Sequence, residues 1–183
     1  MSLLRMAIRK QAIKFLKGRT NAGSNVRANR SETNWQENLP GINVYTRGEV
    51  NTEMNQAPRR LRRNLELEVE IIDEGSDGEE ISDKLDILAE QVERCLSVDD
   101  SLGGCADDII LTNVSDLEVE SGGSKPSGSI RLTFNVKYNE FSPRDRKGQG
   151  TFETFEELSA EWDLQPGQDE ADRATDIITI PTP

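Results

Sequence analysis

Four aspartates, Asp99, Asp100, Asp107 and Asp108, crowd the stretch DDSLGGCADD and form the only dense aspartate cluster in the 183-residue chain. Carboxylates that converge in a cleft hold magnesium, a hard cation that accepts oxygen ligands alone, and magnesium supports phosphodiester hydrolysis. No lysine stands beside this set, and aspartate-rich turns are ordinarily solvated, so a magnesium-dependent nuclease is kept only as a rival reading. The chain has no histidine. That removes Ser-His-Asp and Cys-His nucleophile pairs, histidine-ligated zinc and the commonest general base near neutral pH. Cys95 and Cys105 fall near the end of a predicted helix and in the Gly-rich turn after it; without a secretory signal they read as reduced structural thiols. Neither an enzyme nor a cofactor is expected.

A second constellation is a row. NLELEVEII, residues 64–72, sets Leu65, Leu67, Val69 and Ile71 on one parity and Glu66, Glu68 and Glu70 on the other, the period-two pattern of a half-buried strand. The glutamates then point away from the core. Either they line a surface that repels phosphate, or they face solvent and pair across the sheet with Arg131 and Lys137. Just upstream stand Arg59, Arg60, Arg62 and Arg63, with Glu49 and Glu53 in the segment before them. These six are either a solvated strand end or candidates for contact with a neighbouring subunit.

The elements that must position these rows follow from length and charge. A chain of 183 residues, 34% hydrophobic and 31% charged, supports one core with spare length for arms. Its net charge of -12 hides a gradient: residues 1–63 carry 13 Lys or Arg against 4 Asp or Glu, and residues 64–183 carry 9 against 30. Opposite ends of neighbouring copies therefore attract, which favours oligomerisation. No apolar window approaches the roughly 18 residues of a membrane span, so a soluble protein made in a cytoplasm, with no membrane partner, is expected. A nucleic-acid-binding module on the basic N-terminal part lacks interleaved aromatics and any reader motif.

LLRMAIRKQAIKFLKG sets Leu4, Ile8, Ala12, Phe15 and Leu16 along one helical face, with Gly18 as the stop. A short strand is predicted at 26–29, a Pro40-Gly41 turn, a strand INVYTRGEV, and then a long mobile connection through NTEMNQAPRRLRR. The third strand runs from Leu61 to Ile72. Asp77 and Glu80 cap a second helix whose stripe is Ile81, Leu85, Leu88, Ala89, Val92 and Leu96. IILTNVSDLEVE and SIRLTFNVKY make a hairpin, the latter with Ile130, Leu132, Phe134, Val136 and Tyr138 on one face. The fold class is thus α+β: a single twisted, mostly antiparallel sheet with two helices on one face over residues 1–140, then an acidic linker and C-terminal arm over 141–183. Residues 151–183 carry nine acids and one arginine. TFETFEELSAEWDL reads as a short acidic amphipathic element and QPGQDEADRATDIITIPTP as a polar tail; this piece is either a solvated tail or an arm that docks on a neighbour, with Phe152, Phe155, Leu158 and Trp162 as candidate anchors.

The helix ending LKGRTNAGSNV, the strands LPGINVYTRGEV and APRRLRRNLELEVEII, the helix ISDKLDILAEQVERCL and the closing GSIRLTFNVKYNE together resemble the tail terminator proteins of long-tailed bacteriophages, the lambda minor tail protein U group. The resemblance covers residues 3 to about 140 and carries no catalytic residue; the acidic extension exceeds the compact family pattern. It implies a homohexameric ring in the virion, assembled in the host cytoplasm, that caps the head-proximal end of the tail tube, stops its polymerisation and offers a docking face to connector or neck proteins. DNA passes through the ring without specific binding, which makes Glu66, Glu68 and Glu70 candidates for the channel lining. A head-closure or tail-completion protein is the nearest alternative.

Overall fold

The computed structural model describes residues 3–28, 39–56, 58–120, 125–142, 157–162 and 174–179. Two units separate along the chain, Met1–Phe141 and Ser142–Pro183. The first contains α1 (Leu3–Leu16), β1 (Val26–Ala28), β2 (Gly41–Gln56), β3 (Arg59–Glu74), α2 (Gly78–Ser97), β4 (Asp108–Val114), β5 (Glu118–Glu120) and β6 (Ser127–Phe141). The sheet order is β1-β2-β3-β6-β4, with β5 beside β6 as well. β1 runs parallel to β2 and the other pairs are antiparallel. This is the α+β fold expected, a mostly antiparallel sheet carrying two helices.

Each element forms for a local reason. In β3 the alternation buries Leu65, Leu67, Val69 and Ile71 completely. Their cross-strand partners in β6 are Val136, Phe134, Leu132 and Ile130, so one face of the two central strands is aliphatic throughout. α2 opens on Asp77, whose Oδ1 accepts from the Glu80 amide at 2.8 Å, while Glu80 reaches back to the Ser76 amide and hydroxyl at 2.8 and 2.6 Å. That is a capping box moved one residue outward. Its stripe Ile81, Leu85, Leu88, Val92 and Leu96 is buried, and α1 adds Ile8, Ala12 and Leu16 to the same core. Ile13, which falls off the predicted face, also packs against that core. Gly18 after α1 adopts φ +74° and donates to the Gly23 carbonyl at 2.7 Å, a left-handed stop that suits glycine.

Two segments differ from the sequence reading. The connection expected to be long and mobile is a ladder: β2 continues to Gln56, β3 starts at Arg59, and Thr52 pairs with Arg62. Polar alternation hides such a strand, yet β6 runs beside β3 as far as the Arg60–Phe141 pair and supports it. The result is a stranded tongue, made of Val50–Gln56 and the Arg59 end of β3, with register shifts at Thr46/Glu49 and Glu53/Asn55. IILTNVSDLEVE is not one strand but two. β4 ends at Val114, and Ser115 bridges the break: its amide donates to the Arg131 carbonyl at 2.8 Å and its hydroxyl accepts from the Arg131 amide at 3.0 Å.

In the second unit, β7 (Glu157–Trp162) pairs antiparallel with β8 (Ala174–Thr179), Leu158 opposite Ile178 and Trp162 opposite Ala174. This replaces the single amphipathic element and polar tail expected there. Phe152 and Phe155 lie outside the described residues.

Gly128 in β6 sits under α2, where a Cβ would stand 2.5 Å from Ile81 Cγ2 and 3.2 Å from Leu85 Cδ1 and Leu117 Cδ1. Gly128→Ala should therefore overpack the helix–sheet contact and lower stability by about 1–3 kcal/mol, read as a lower urea midpoint. Gly78→Ala, with nothing within 4 Å of its added Cβ, should leave the midpoint unchanged or raise it.

Candidate functional site

The aspartates of DDSLGGCADD do not converge. Asp99 organises its own turn: Oδ1 accepts from the Ser101 amide and hydroxyl at 2.9 and 2.5 Å, and Oδ2 from the Gly103 amide at 2.8 Å. The Ser101 hydroxyl and the two amides hold its carboxyl below the usual range. Leu102, at φ +47°, plugs the core, and Gly103 and Gly104 supply two further left-handed positions. Asp107 accepts from Asn139 Nδ2 at 2.7 Å, and Asp108 pairs with Lys137 at 2.8 Å. Asp100 is exposed. Among the described residues no group of three metal-ligating side chains comes together. Cys95 and Cys105 are half-buried free thiols.

The glutamate row lies on the sheet face opposite the helices, and its members differ. Glu70 accepts from Tyr45 Oη at 3.0 Å, Asn43 Nδ2 at 3.2 Å and Arg131 Nε at 3.3 Å. Glu68 pairs with Arg47 at 2.6 Å, and the Arg47 guanidinium lies 4.4 Å from the centroid of the Tyr45 ring. Glu66 is exposed, at the rim of an open groove of about 360 Å³ shared with Asn64, Thr112, Thr133 and Asn135. Pairing with Arg131 thus occurs at Glu70. Pairing with Lys137 does not, because the register sets Lys137 opposite Asn64 and Asp108. Glu118 is held by Arg131 and Asp108 by Lys137, so most charges at the centre of this face are paired, and Arg60 and Arg62, on the glutamates' parity of β3, add two cations at its tongue end.

The tongue's charges divide into an inner and an outer set. Arg63 stands on the apolar parity of β3, and so does Glu140 on that of β6, where the side chains run into the core's end. Arg63 pairs with Glu49 and, at 2.9 Å, with Glu140; the side-chain exposures are 13%, 7% and 4%. Glu49 also meets Arg5 of α1 at 3.5 Å and accepts from Tyr138 Oη at 2.8 Å. Arg5 donates to the Arg47 carbonyl at 2.8 Å, and Arg9 to Thr46 Oγ1 at 3.0 Å. The inner set therefore ties α1 to the base of the tongue. In the outer set, Arg59 pairs with Glu53 at 2.8 Å, Arg60 lies over the Phe141 ring at 4.7 Å, and Arg62 is exposed. Arg5, Tyr45, Arg47, Tyr138 and Glu140 are absent from the site read off the sequence. The parity of Arg63 and Glu140 was the available signal, since a charge on an apolar parity needs a buried partner.

No protein-family model matches the sequence, and no curated protein matches it. Among solved structures, one similar chain belongs to the virion of a native gene transfer agent particle, at 6% sequence identity and a TM-score of 0.32, covering 73% of this chain and 94% of that one. A likeness of that size does not reach function. Among the described residues no helix is long and apolar enough to cross a membrane.

Glu49→Ala should cost roughly 3 kcal/mol of unfolding free energy, because it removes the carboxylate between two guanidinium groups at low exposure. Glu66→Gln should change stability by less than about 0.5 kcal/mol. Denaturant titration separates the two. Burial, then the hydrogen bond to Glu49, raises the Tyr138 pKa above the ordinary 10.0. A raised pKa means that the stabilisation is complete below pH 10 and is lost as pH rises beyond it. Tyr138→Phe should make the alkaline decline shallower. Tyr45, raised by burial and by Glu70, carries a share of its own.

Proposed function

We propose that the chain is a structural virion protein of a long-tailed phage, a tail terminator whose copies close into a homohexameric ring on the head-proximal end of the tail tube. The ring halts tube polymerisation and presents a docking face to connector or neck proteins. The observation that carries this reading is the helix-free sheet face, where the glutamate row stands and most charges are paired locally. A bore that conducts a polyanion must not grip it. Unpaired lysine and arginine would bind phosphate through counterion release, whereas a neutral-to-negative lining lets it slide. Glu66, Glu68 and Glu70 are assigned to that lining, with Glu66 as its free charge.

The division of the tongue charges supports the same reading. Arg63 and Glu49 brace the tongue, and Arg60 and Arg62 remain on its outside for a tube or subunit partner. A subunit in a cyclic ring needs two different surfaces, which a chain basic at one end and acidic at the other supplies. The second unit, with Leu158 and Trp162 on β7 and with Phe152 and Phe155 before it, is assigned as an arm that docks on a neighbouring subunit. The separate partners of Asp99, Asp107 and Asp108 disfavour the nuclease reading.

Mass measurement of the purified full chain, alone and with tail tubes, followed by imaging of the occupied tube end, tests the proposal. A six-subunit assembly on the head-proximal end is expected. Attachment to the head portal instead would favour a head-closure protein, and a strict monomer that ignores tubes would overturn the reading.

A further inference from the structure

Exposed apolar side chains are concentrated rather than scattered. Among the described residues nine large hydrophobics are exposed, and six of them stand in two places: Val50 and Met54 on the tongue, and Ile110, Val114, Leu117 and Val119 along β4 and β5. Both places are sheet edges. β1 pairs with β2 only from Ile42 to Val44, so among the described residues no strand lies on the outer side of β2 through the tongue. β4 and β5 pair with β6 on one side, and no strand among the described residues lies on the other. Val50 opposes Asn64 and Ile110 opposes Asn135, both on the helix-free face, where they are 67% and 48% exposed.

An open apolar edge is a template for another extended strand, and proteins commonly blunt it with lysine or proline, or cover it. Residues 107–120, DDIILTNVSDLEVE, contain no lysine, arginine or proline and five acids. Two such edges pairing with each other would bring like charges together. A basic edge fits them better. Residues 50–62 hold three arginines and one acid, with Arg60 and Arg62 exposed. The two edges lie on opposite sides of the sheet, so their contact is head-to-tail, the type that propagates and can close.

We propose that the tongue edge of β2 in one copy docks on the β4–β5 edge of the next copy and extends the sheet across the subunit boundary. Val50 meets Ile110 on the helix-free face, and Arg60 and Arg62, on that same face, lie beside the acids of residues 107–120. This contact rests on the ring proposed for the chain and names the surfaces that close it.

The test uses the full chain with Cys95 and Cys105 replaced by serine. Val50→Cys or Thr52→Cys is made in one preparation and Ile110→Cys or Thr112→Cys in another, so that every disulfide between them is intermolecular. On mixing under mild oxidation, at least one tongue-to-edge combination should cross-link, with tongue-to-tongue and edge-to-edge yields lower by about tenfold or more, since Cβ atoms must approach to ~4 Å. Arg60→Glu with Arg62→Glu, in chains that retain native circular dichroism, should lower the tongue-to-edge yield by about tenfold or more through like-charge repulsion. Edge-to-edge disulfides alone would mean a two-fold contact and would overturn the proposal. A six-subunit mass with no tongue-to-edge disulfide in any combination would overturn this docking and leave the ring standing. A monomer at every concentration, with and without tubes, would overturn both.

Discussion

A strand has two faces and no third, and β3 places four aliphatic side chains beneath the helices only by placing Glu66, Glu68 and Glu70 on the other side. A slip of one residue would exchange the rows and bury the acids. Full burial of Leu65, Leu67, Val69 and Ile71 therefore fixes where the glutamates stand. Their surroundings set what they do. Arg47 and Arg131 turn two of the three into locally compensated pairs, so the face is a polar, largely paired surface rather than a bare row of charge.

The same two-sidedness explains the tongue. At its base the apolar parities of β3 and β6 end in Arg63 and Glu140, and Glu49 comes in from the bulged region of β2. Desolvating an ion pair is costly, and replacing such pairs by hydrophobic groups is often neutral or favourable. Their value here is directional: one carboxylate, Glu49, connects α1, β3 and β6 through Arg5, Arg63 and Tyr138. The tongue thus leaves the core from a defined base, with its outer arginines and exposed Val50 and Met54 beyond it.

Much of this was legible in the sequence, because burial imposes periodicity. The α2 stripe, its Asp77–Glu80 cap, and the alternations of β3 and β6 are direct consequences of one face meeting a core. The tongue was not legible: Asn51, Thr52, Asn55 and Gln56 are all exposed, so no apolar period marks them, and only pairing with β3, itself backed by β6, makes them a strand. The break at Ser115 was hidden for a related reason, since a serine that replaces ladder bonds looks like any polar strand residue. At the site, Glu70 facing Arg131 follows from parity. The contacts of Glu70 with Asn43 and Tyr45, and of Lys137 with Asp108, depend on register between strands, which a single sequence does not encode locally.

The central claim is an orientation: the helix-free face of the sheet looks into a bore. Electron cryomicroscopy of the protein bound to tail tubes measures it directly. The account predicts Glu66, Glu68 and Glu70 of every subunit directed at the ring axis, with α1 and α2 on the outside. A ring whose passage is lined by α1, with Lys10, Lys14 and Lys17 facing the DNA, would contradict it.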